Sequence, residues 1–373
     1  MNPVPTTAAP ISVIGFTTCL ILAETVRPIR LLQVGLGGWG RDWAWRVVPE
    51  VPEVEVVGYV DSDPQSLALL REEIPGATGL CYASLAEAVE ATRPEAVLIT
   101  TTLAGHAPLT QAAVDAGIHV LVEKPFAADV ATAEGLVRAA AAKGVVLMVS
   151  QNYRFFPAVR TVARLLEEAP LGDLSAVSID FRRYSAGRAD GRARHHTDEQ
   201  PLLVDMSIHH FDLLRMLLKR EPDRIYCESW NPRWSPFAGP AAAVASIDFG
   251  DIVVSYRGSW VSAAPITPWA GDWRMEFERG EITWTARDDN GALNDKVVVR
   301  PLNGRAKSVR MHDMRVDRWG TLTEFALAIR EGREPECSGR DNLGTVAFMT
   351  AAVESATRRS PIDLRGTRVA SRD

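Results

Sequence analysis

A glycine-rich hexapeptide near the N-terminus has the residue types and spacing that bind a dinucleotide. It consists of Gly35, Leu36, Gly37, Gly38, Trp39 and Gly40. The first glycine permits a tight turn, the second lets backbone N–H groups reach a pyrophosphate, and the third lets helix and strand pack closely. An apolar run, 29–34, precedes the turn and a helical stretch, 41–48, follows it. We therefore expect all six residues to contact a dinucleotide cofactor.

An acidic residue follows the glycine turn at the distance that ribose recognition needs. Asp61 stands 21 residues beyond Gly40, directly after the apolar run 54–60. A carboxylate at this position accepts hydrogen bonds from the ribose hydroxyls, and it repels a 2′-phosphate. The sequence therefore predicts NAD as the cofactor in preference to NADP.

Three polar residues share one face of a predicted helix in the second half of the chain. Asp205, His209 and Asp212 are spaced four and three residues apart, and this places them on one side of an α-helix. His210 points about 100° away. An imidazole can accept the proton that an alcohol loses on oxidation, and a nearby cation can stabilise the developing alkoxide. We expect Asp212 to pair locally, for example with Arg215.

The elements that must position these residues alternate strand and helix as far as residue 150. The predicted strands are 29–34, 54–60, 80–82, 96–100, 119–122 and 145–149. A capping box begins at Ser84, and Asp129 can cap the helix that ends near Lys143. This alternation predicts an α/β fold, a doubly wound parallel Rossmann sheet over residues 28–150. We expect residues 1–27 to form a disordered or loosely packed extension.

Residues 151–373 follow a different pattern, which predicts a second, α+β domain for substrate binding and oligomerisation. Long gaps separate alternating stretches at 174–183, 244–249, 252–260, 274–285 and 296–300, and helices are predicted at 157–168, 202–218, 319–330 and 342–357. The strands indicate an open, mostly antiparallel sheet. Segment 184–200 is predicted to be a loop.

Tryptophans concentrate in this second domain. Six of the ten lie within 55 residues: Trp230, Trp234, Trp260, Trp269, Trp273 and Trp284. We interpret them as core or oligomer-interface residues in preference to a sugar-stacking surface. Because an open hydrophobic sheet face needs a partner, we expect a homodimer or homotetramer packed through the C-terminal sheet.

The composition excludes several classes of protein. The chain of 373 residues has 41 Lys and Arg against 47 Asp and Glu, so it lacks the positive charge of a nucleic-acid-binding protein. The apolar run 11–23 is shorter than the roughly 20 residues of a membrane span, and no basic residue precedes it as in a signal peptide. Four scattered cysteines indicate neither disulfides nor a zinc site. We expect a cytoplasmic protein without a metal, membrane or nucleic-acid partner.

Several segments occur in an order that resembles one oxidoreductase family. They are the strand 96–102, His106 at the start of a helix, the strand 117–125 ending in Glu-Lys-Pro, the segment 151–157 and the Asp-x-x-x-His-x-x-Asp helix at 205–212. Together they resemble the Gfo/Idh/MocA oxidoreductases, which join a Rossmann domain to an open-faced sheet domain. The resemblance covers residues 28–365.

The resemblance implies roles for single residues. The lysine of the family's Glu-Lys-Pro motif and the Asp and His of its helix motif form the catalytic set, which here corresponds to Lys124, Asp205 and His209. Asp205 and His209 would also contact the substrate. Arg154 would contact substrate or cofactor, or bridge the domains through an ion pair. The residues that border the cofactor would be Thr101, Thr102, His106, Glu123, Lys124 and Gln151.

The resemblance implies an NAD-dependent dehydrogenase or reductase that acts on a secondary alcohol or carbonyl carbon of a sugar, cyclitol or related polyol. Two alternatives stay open. Some relatives oxidise a sugar transiently with tightly bound NAD so that a neighbouring glycosidic bond can be cleaved, and sugar-responsive regulators of this fold bind a dinucleotide without catalysis. Retention of NAD through purification would indicate the first alternative. A Lys124→Ala variant that kept its biological role would indicate the second.

Overall fold

A computed structural model describes residues 27–185 and 199–367. The predicted N-terminal extension lies outside these ranges except for its last residue, and so does most of the predicted loop 184–200. The described residues form one six-stranded sheet and one nine-stranded sheet. The predicted fold class, a Rossmann sheet joined to a mostly antiparallel α+β sheet, is therefore confirmed.

The first sheet is fully parallel. Its strands are β1 (Ile29–Val34), β2 (Val54–Val60), β3 (Cys81–Tyr82), β4 (Ala96–Ile99), β5 (His119–Glu123) and β6 (Leu147–Ser150). They lie in the order β3-β2-β1-β4-β5-β6. Most of their side chains are buried, because parallel sheets are covered on both faces. The order reverses between β1 and β4, so the carboxyl ends of these strands border the crevice where ligands bind such sheets.

Side-chain caps begin three of the helices around this sheet. Asp63 accepts hydrogen bonds at the start of α2, Ser84 at the start of α3 and Asp129 at the start of α5. Glu87 accepts a bond from the N–H of Ala83, the residue before the cap, so the exchange is close to the predicted capping box but displaced by one residue. The helices are α1 (Gly38–Asp42, continued by a π-helical turn, Trp43–Val47), α2 (Pro64–Glu73), α3 (Leu85–Thr92), α4 (Leu103–Asp115) and α5 (Val130–Lys143).

The second sheet is antiparallel except for one pair of strands. It contains β7 (Leu174–Arg182), β8 (Arg224–Trp230), β9 (Ala242–Asp248), β10 (Val253–Ser259), β11 (Asp272–Phe277), β12 (Gly280–Thr285), β13 (Lys296–Pro301), β14 (Lys307–Ser308) and β15 (Ile362–Asp363). The order is β14-β13-β12-β11-β7-β10-β9-β8-β15, with β7 and β10 parallel. The stretch predicted as one strand, 274–285, is a hairpin of two. β8 escaped prediction because Ile225 and Cys227 are its only buried hydrophobic residues.

The last two long helices return to the first sheet. α6 (Pro157–Glu168) and α7 (Ile208–Leu218), the latter preceded by a π-helical turn at Leu202–Ser207, belong to the second half, and α8 (Asp317–Glu331) and α9 (Gly339–Arg358) follow. Leu322 and Phe325 of α8 pack in the core with β1. Leu343 of α9 joins the core of the first sheet, whereas Phe348 joins that of the second. α9 therefore packs both halves together.

The tryptophans of the second sheet lie mainly on its covered face. Trp260, Trp273 and Trp284 are buried, as expected of core residues, whereas Trp230 and Trp234 are exposed. The open face carries ion pairs, and they include Arg182 with Asp180 and Arg274 with Glu281. The same face also carries the exposed apolar side chains of Tyr226, Trp230, Val244 and Val253, so it combines ion pairs with apolar groups, and oligomerisation through this face stays a prediction.

The buried His210 makes the stability of the folded protein depend on pH. Its ring lies 3.2 Å from both the Tyr256 hydroxyl and the Trp269 carbonyl oxygen, and burial lowers its pKa to about 4. A histidine in the unfolded chain titrates near pH 6.5. The neutral, buried His210 ring therefore contributes to the free energy of unfolding in full above pH 6.5, and this contribution is lost as the pH falls toward 4.

We expect the His210→Gln variant to lose less stability on acidification than the unsubstituted chain, because glutamine takes up no proton. The difference between their free energies of unfolding should shrink by about 3 kcal/mol between pH 7 and pH 4. Denaturant unfolding at both pH values measures it. Parallel pH dependence of the two proteins would contradict a buried neutral His210.

Candidate active site

The glycine turn leaves open space where a cofactor could sit. Gly35 has a φ of +95°, and a Cβ at Gly40 would lie 1.9 Å from the Gly35 carbonyl oxygen, so only glycine lets the helix approach the strand this closely. No atom lies within 4 Å of a Cβ built at Gly37 or Gly38. This space beside the N–H groups of the first helical turn fits a pyrophosphate.

Asp61 is hydrogen-bonded to the same turn. Its Oδ2 accepts a bond from the Leu36 N–H at 2.6 Å, and its Oδ1 accepts one from the Asp63 N–H at 2.9 Å. A carboxylate oxygen has capacity for a further donor, and the residue is only partly buried. The position at the carboxyl end of β2 therefore fits a group that binds ribose hydroxyls.

Glu123 forms a buried clamp with two tryptophans. Its Oε1 accepts hydrogen bonds from Nε1 of Trp39 at 2.9 Å and of Trp43 at 2.8 Å. The Arg318 guanidinium lies over the Trp39 ring at 4.2 Å. Glu123 was predicted to border the cofactor, but its carboxylate is largely occupied by these bonds. The clamp fixes the end of β5, and with it the backbone of Lys124, beside the glycine turn.

Lys124 joins the two halves of the chain. Its Nζ donates to Asp205 Oδ1 at 2.7 Å and to the Asp205 backbone carbonyl at 2.7 Å. The lysine side chain is largely buried and the aspartate is partly exposed. The structure thus brings together two of the three predicted catalytic residues, one from each half.

His209 completes this group from the next turn of the helix. Its ring stacks on Tyr153 with centroids 4.1 Å apart and planes 5° apart. Burial holds the pKa of His209 well below its usual value, and the positive charges of Lys124 and Arg287 lower it further. His209 is therefore neutral near pH 7, the form that can accept a proton.

The remaining predicted cofactor residues divide into two groups. Thr101, Thr102 and His106 line the same cavity as Lys124. The His106 ring is held between the carbonyl oxygens of Pro125, 2.7 Å from Nδ1, and Thr101, 3.1 Å from Nε2, while burial lowers its pKa. Gln151 is buried beside α9 and is not part of the cavity wall. Its position does not fit direct contact with a ligand in this cavity.

Arg154 lies in an ion-pair network away from the cavity. Its guanidinium donates to both carboxylate oxygens of Asp212, at 2.7 and 2.6 Å, and to Asp341 at 2.7 Å. This placement fits an ion pair and not a substrate contact, because the protein's own carboxylates surround Arg154. The pair does not bridge the predicted domains, since all three residues belong to the predicted second domain. The expected pairing of Asp212 with Arg215 is wrong, since Arg215 pairs with Glu221.

A cavity of about 990 Å³ lies between the two halves. Its wall includes the predicted residues Trp39, Thr101, Thr102, His106, Glu123, Lys124, Asp205 and His209. The wall also includes residues that were not predicted to bind ligands, among them Asn152, Tyr153, Trp260, Trp269 and Arg287. Asn152 and Tyr153 directly follow Gln151 and could have been found by extending that segment. No sequence motif distinguishes Arg287 from the many other arginines of the chain, so its position in the cavity could not be predicted.

The described residues contain neither a membrane-spanning helix nor a metal-binding cluster. No helix in the described ranges is long and apolar enough to cross a bilayer. Among the residues that the structure places, no three His, Cys, Asp or Glu side chains are grouped so that they could hold a metal ion.

Family models match both halves of the chain. The one described as "Oxidoreductase family, NAD-binding Rossmann fold" matches residues 29–151, and the one described as "GFO/IDH/MocA C-terminal domain" matches residues 159–283. The fold, the glycine turn and these matches define an NAD-binding oxidoreductase. The chain belongs to the Gfo/Idh/MocA family of oxidoreductases.

Named relatives act on sugars and cyclitols. D-apiose dehydrogenase of Paraburkholderia graminis is 25% identical over 91% of this chain and 91% of its own length. Inositol 2-dehydrogenase of Rhizobium meliloti is 25% identical over 90% of this chain and 99% of its own length. The crystal structure of aldose-aldose oxidoreductase from Caulobacter crescentus has a TM-score of 0.79 at 19% identity, covering 91% of this chain and 100% of that one.

We expect Arg154→Ala to destabilise the protein by about 3–5 kcal/mol, because it leaves the Asp212 carboxylate buried without a cation. Thermal unfolding measures the loss. Arg164→Ala is the control: Arg164 pairs with Glu168 on the surface, and its removal should cost less than about 1 kcal/mol. An Arg154→Ala protein of normal stability with a raised KM for substrate alone would restore the substrate role.

Proposed function

We propose that this protein transfers a hydride between NAD and a secondary alcohol or carbonyl carbon of a sugar, cyclitol or related polyol. The observation that carries the proposal is the contact of Lys124 with Asp205 beside a neutral His209, in a cavity that borders the glycine turn. Sugar- and cyclitol-oxidising relatives support the substrate class.

The chain's own groups suit the proton and charge changes of this reaction. Bound NAD would accept the hydride at the nicotinamide ring. His209 is neutral and can take the hydroxyl proton, and the Lys124 ammonium can stabilise the developing alkoxide. Asp205 orients the ammonium through the 2.7 Å contact. Tyr153 fixes the plane of the imidazole by stacking on it.

A preference for NAD over NADP is the cofactor part of the proposal. Asp61 supports it, because its carboxylate lies at the end of β2 and one of its oxygens accepts a hydrogen bond from Leu36 of the glycine turn. A 2′-phosphate there would be repelled by like charge.

We also keep the predictions of a homodimer or homotetramer through the C-terminal sheet and of a cytoplasmic location. The described cysteines, Cys81, Cys227 and Cys337, form no disulfide, and this agrees with a reducing compartment.

Absorbance at 340 nm tests the reaction. The purified protein would be mixed with NAD or NADP and a panel of sugars, inositols, sugar acids and nucleotide sugars. Reduction of NAD with one polyol class would establish the dehydrogenase and identify the substrate. No reduction, with NAD still bound after purification, would favour transient oxidation or a binding role instead.

We expect Lys124→Ala and His209→Asn each to lower kcat by about 100-fold or more, because each removes a group that acts on the reacting oxygen. The dissociation constant of NAD should stay nearly unchanged, since the ribose and pyrophosphate contacts are elsewhere. Initial rates and NAD titrations measure the two effects. Lys143→Ala, which alters an exposed lysine at the end of α5, should leave both unchanged. Near-normal turnover in either site variant would remove that residue from the mechanism.

Asp61→Ala should weaken NAD binding by about 10-fold, the effect of losing hydrogen bonds worth about 1.4 kcal/mol. Binding of NADP should weaken less or improve, because the repelling charge is gone. Titrations with both cofactors measure the change in preference. Asp61→Asn keeps the shape of the side chain but removes its charge. Comparison with Asp61→Ala therefore separates the repulsion of the 2′-phosphate from the loss of side-chain packing. Unchanged affinity for NAD in both variants would contradict the ribose assignment.

A further inference from the structure

Arg287 differs from the other arginines around the active site, because among the described residues it forms no ion pair and is influenced by Asp317 and Glu123 only at longer range. Arg154, Arg183, Arg215 and Arg318 each contact a carboxylate, at distances of 2.6, 2.9, 2.5 and 2.5 Å. Within the described residues, no carboxylate oxygen lies within 4.0 Å of the Arg287 guanidinium. Its one hydrogen bond to a described side chain goes to the Tyr153 hydroxyl.

The backbone holds Arg287 in a conformation that is unfavourable for a residue with a side chain. Its φ is +56°, in the left-handed region that favours glycine. The Arg287 N–H donates to Asp295 at 2.8 Å, and its carbonyl accepts a bond from the Trp269 N–H at 2.6 Å. Both backbone groups are therefore fixed, and the Cα–Cβ bond of Arg287 has a defined direction from the edge of the cavity.

Aromatic rings set the position of the guanidinium beside the catalytic group. Its central carbon lies 4.7 Å from the centroid of Tyr153 and 5.4 Å from that of Trp269. The same Tyr153 ring stacks on His209 at 4.1 Å. A cation is thus held against the same tyrosine ring as the predicted base, and both residues line the same cavity.

We propose that Arg287 binds a carboxylate of the substrate, so that the preferred substrates are polyhydroxy acids and not neutral sugars. This inference rests on the proposed function and narrows its substrate class. The guanidinium has donors left after its bond to Tyr153, and a carboxylate can accept two of them in parallel. The acidic side chains of Glu123, Glu199 and Asp205 also line the cavity. They disfavour a dianionic phosphate, whereas a single carboxylate adds only one negative charge.

Matched pairs of compounds test the proposal. Initial rates would be measured for D-galacturonate with D-galactose, D-glucuronate with D-glucose and D-gluconate with D-glucitol, and D-glucose 6-phosphate would represent phosphates. In at least one pair, kcat/KM should be 10-fold or more higher for the acid, consistent with a charge-assisted contact. Equal rates within every pair, or the highest rate with the phosphate, would overturn the proposal.

Variants of Arg287 identify the residue responsible. Arg287→Gln should raise KM for the acid by about 30-fold. Because Arg287 also acts on His209 directly and through Tyr153, we expect any change in kcat to be the same for the acid and its neutral partner, so that the ratio of their kcat/KM values falls by about 30-fold. Arg287→Lys should give an intermediate KM. Arg183→Gln is the matched control, because Arg183 also stacks on Trp269 but is paired with Asp289. It should affect acid and neutral partners equally. An equal effect of Arg287→Gln on both partners would overturn the proposal.

A binding measurement separates this proposal from the proposed function. Calorimetric titration of the NAD-loaded protein with D-galacturonate, D-glucuronate and D-gluconate needs no turnover. Suppose that no compound is oxidised but that one acid binds saturably. If Arg287→Gln weakens this binding about 30-fold and Arg183→Gln leaves it unchanged, the carboxylate site is supported although the oxidoreductase proposal has failed. Oxidation of neutral polyols without binding of any acid would overturn the carboxylate site and leave the oxidoreductase proposal standing.

Discussion

The contact between Lys124 and Asp205 is the interaction on which the active site depends. The lysine follows the central parallel sheet, and the aspartate lies in the π-helical turn that leads into α7. Their two hydrogen bonds of 2.7 Å can form only when the two halves pack closely. α8 and α9 provide that packing, because α8 inserts side chains into the core of the first sheet and α9 into the cores of both sheets. A cleft of this kind is rigid where two cores meet, which is what precise positioning of a substrate requires.

Neighbouring residues of α7 differ in chemistry because they face different surroundings. His209 faces the cavity beside Lys124, and His210 faces the core of the second sheet, where Tyr256 and Trp269 surround it. Burial lowers the pKa of both. Only His209 is accessible to a substrate. The same physical effect therefore makes one histidine a neutral base and the other an acid-sensitive part of the core.

Charges around the cleft are neutralised almost everywhere by partners within the protein. Arg154 is enclosed by Asp212 and Asp341, and Glu123 accepts bonds from two indoles. These arrangements avoid the cost of an unpaired buried charge. An arginine that lacks such a partner and is held by a strained backbone is therefore a reason to look for a ligand.

The sequence by itself determined the parallel sheet, the glycine turn and the residue types of the site. Apolar strands, caps such as Ser84 and Asp129, and the spacing of Gly35, Gly37 and Gly40 are local signals, since each depends on a few neighbouring residues. β8 was missed because only Ile225 and Cys227 of this strand are buried hydrophobic residues. The hairpin β11–β12 was predicted as one strand because its tight turn spans only two residues. The pairing of charges, by contrast, follows from the packing of the elements. Arg154 pairs with Asp212 across 58 positions of chain, and Arg287 has no carboxylate within 4.0 Å in the described parts of the chain, because such pairing depends on distances between elements that no local pattern encodes.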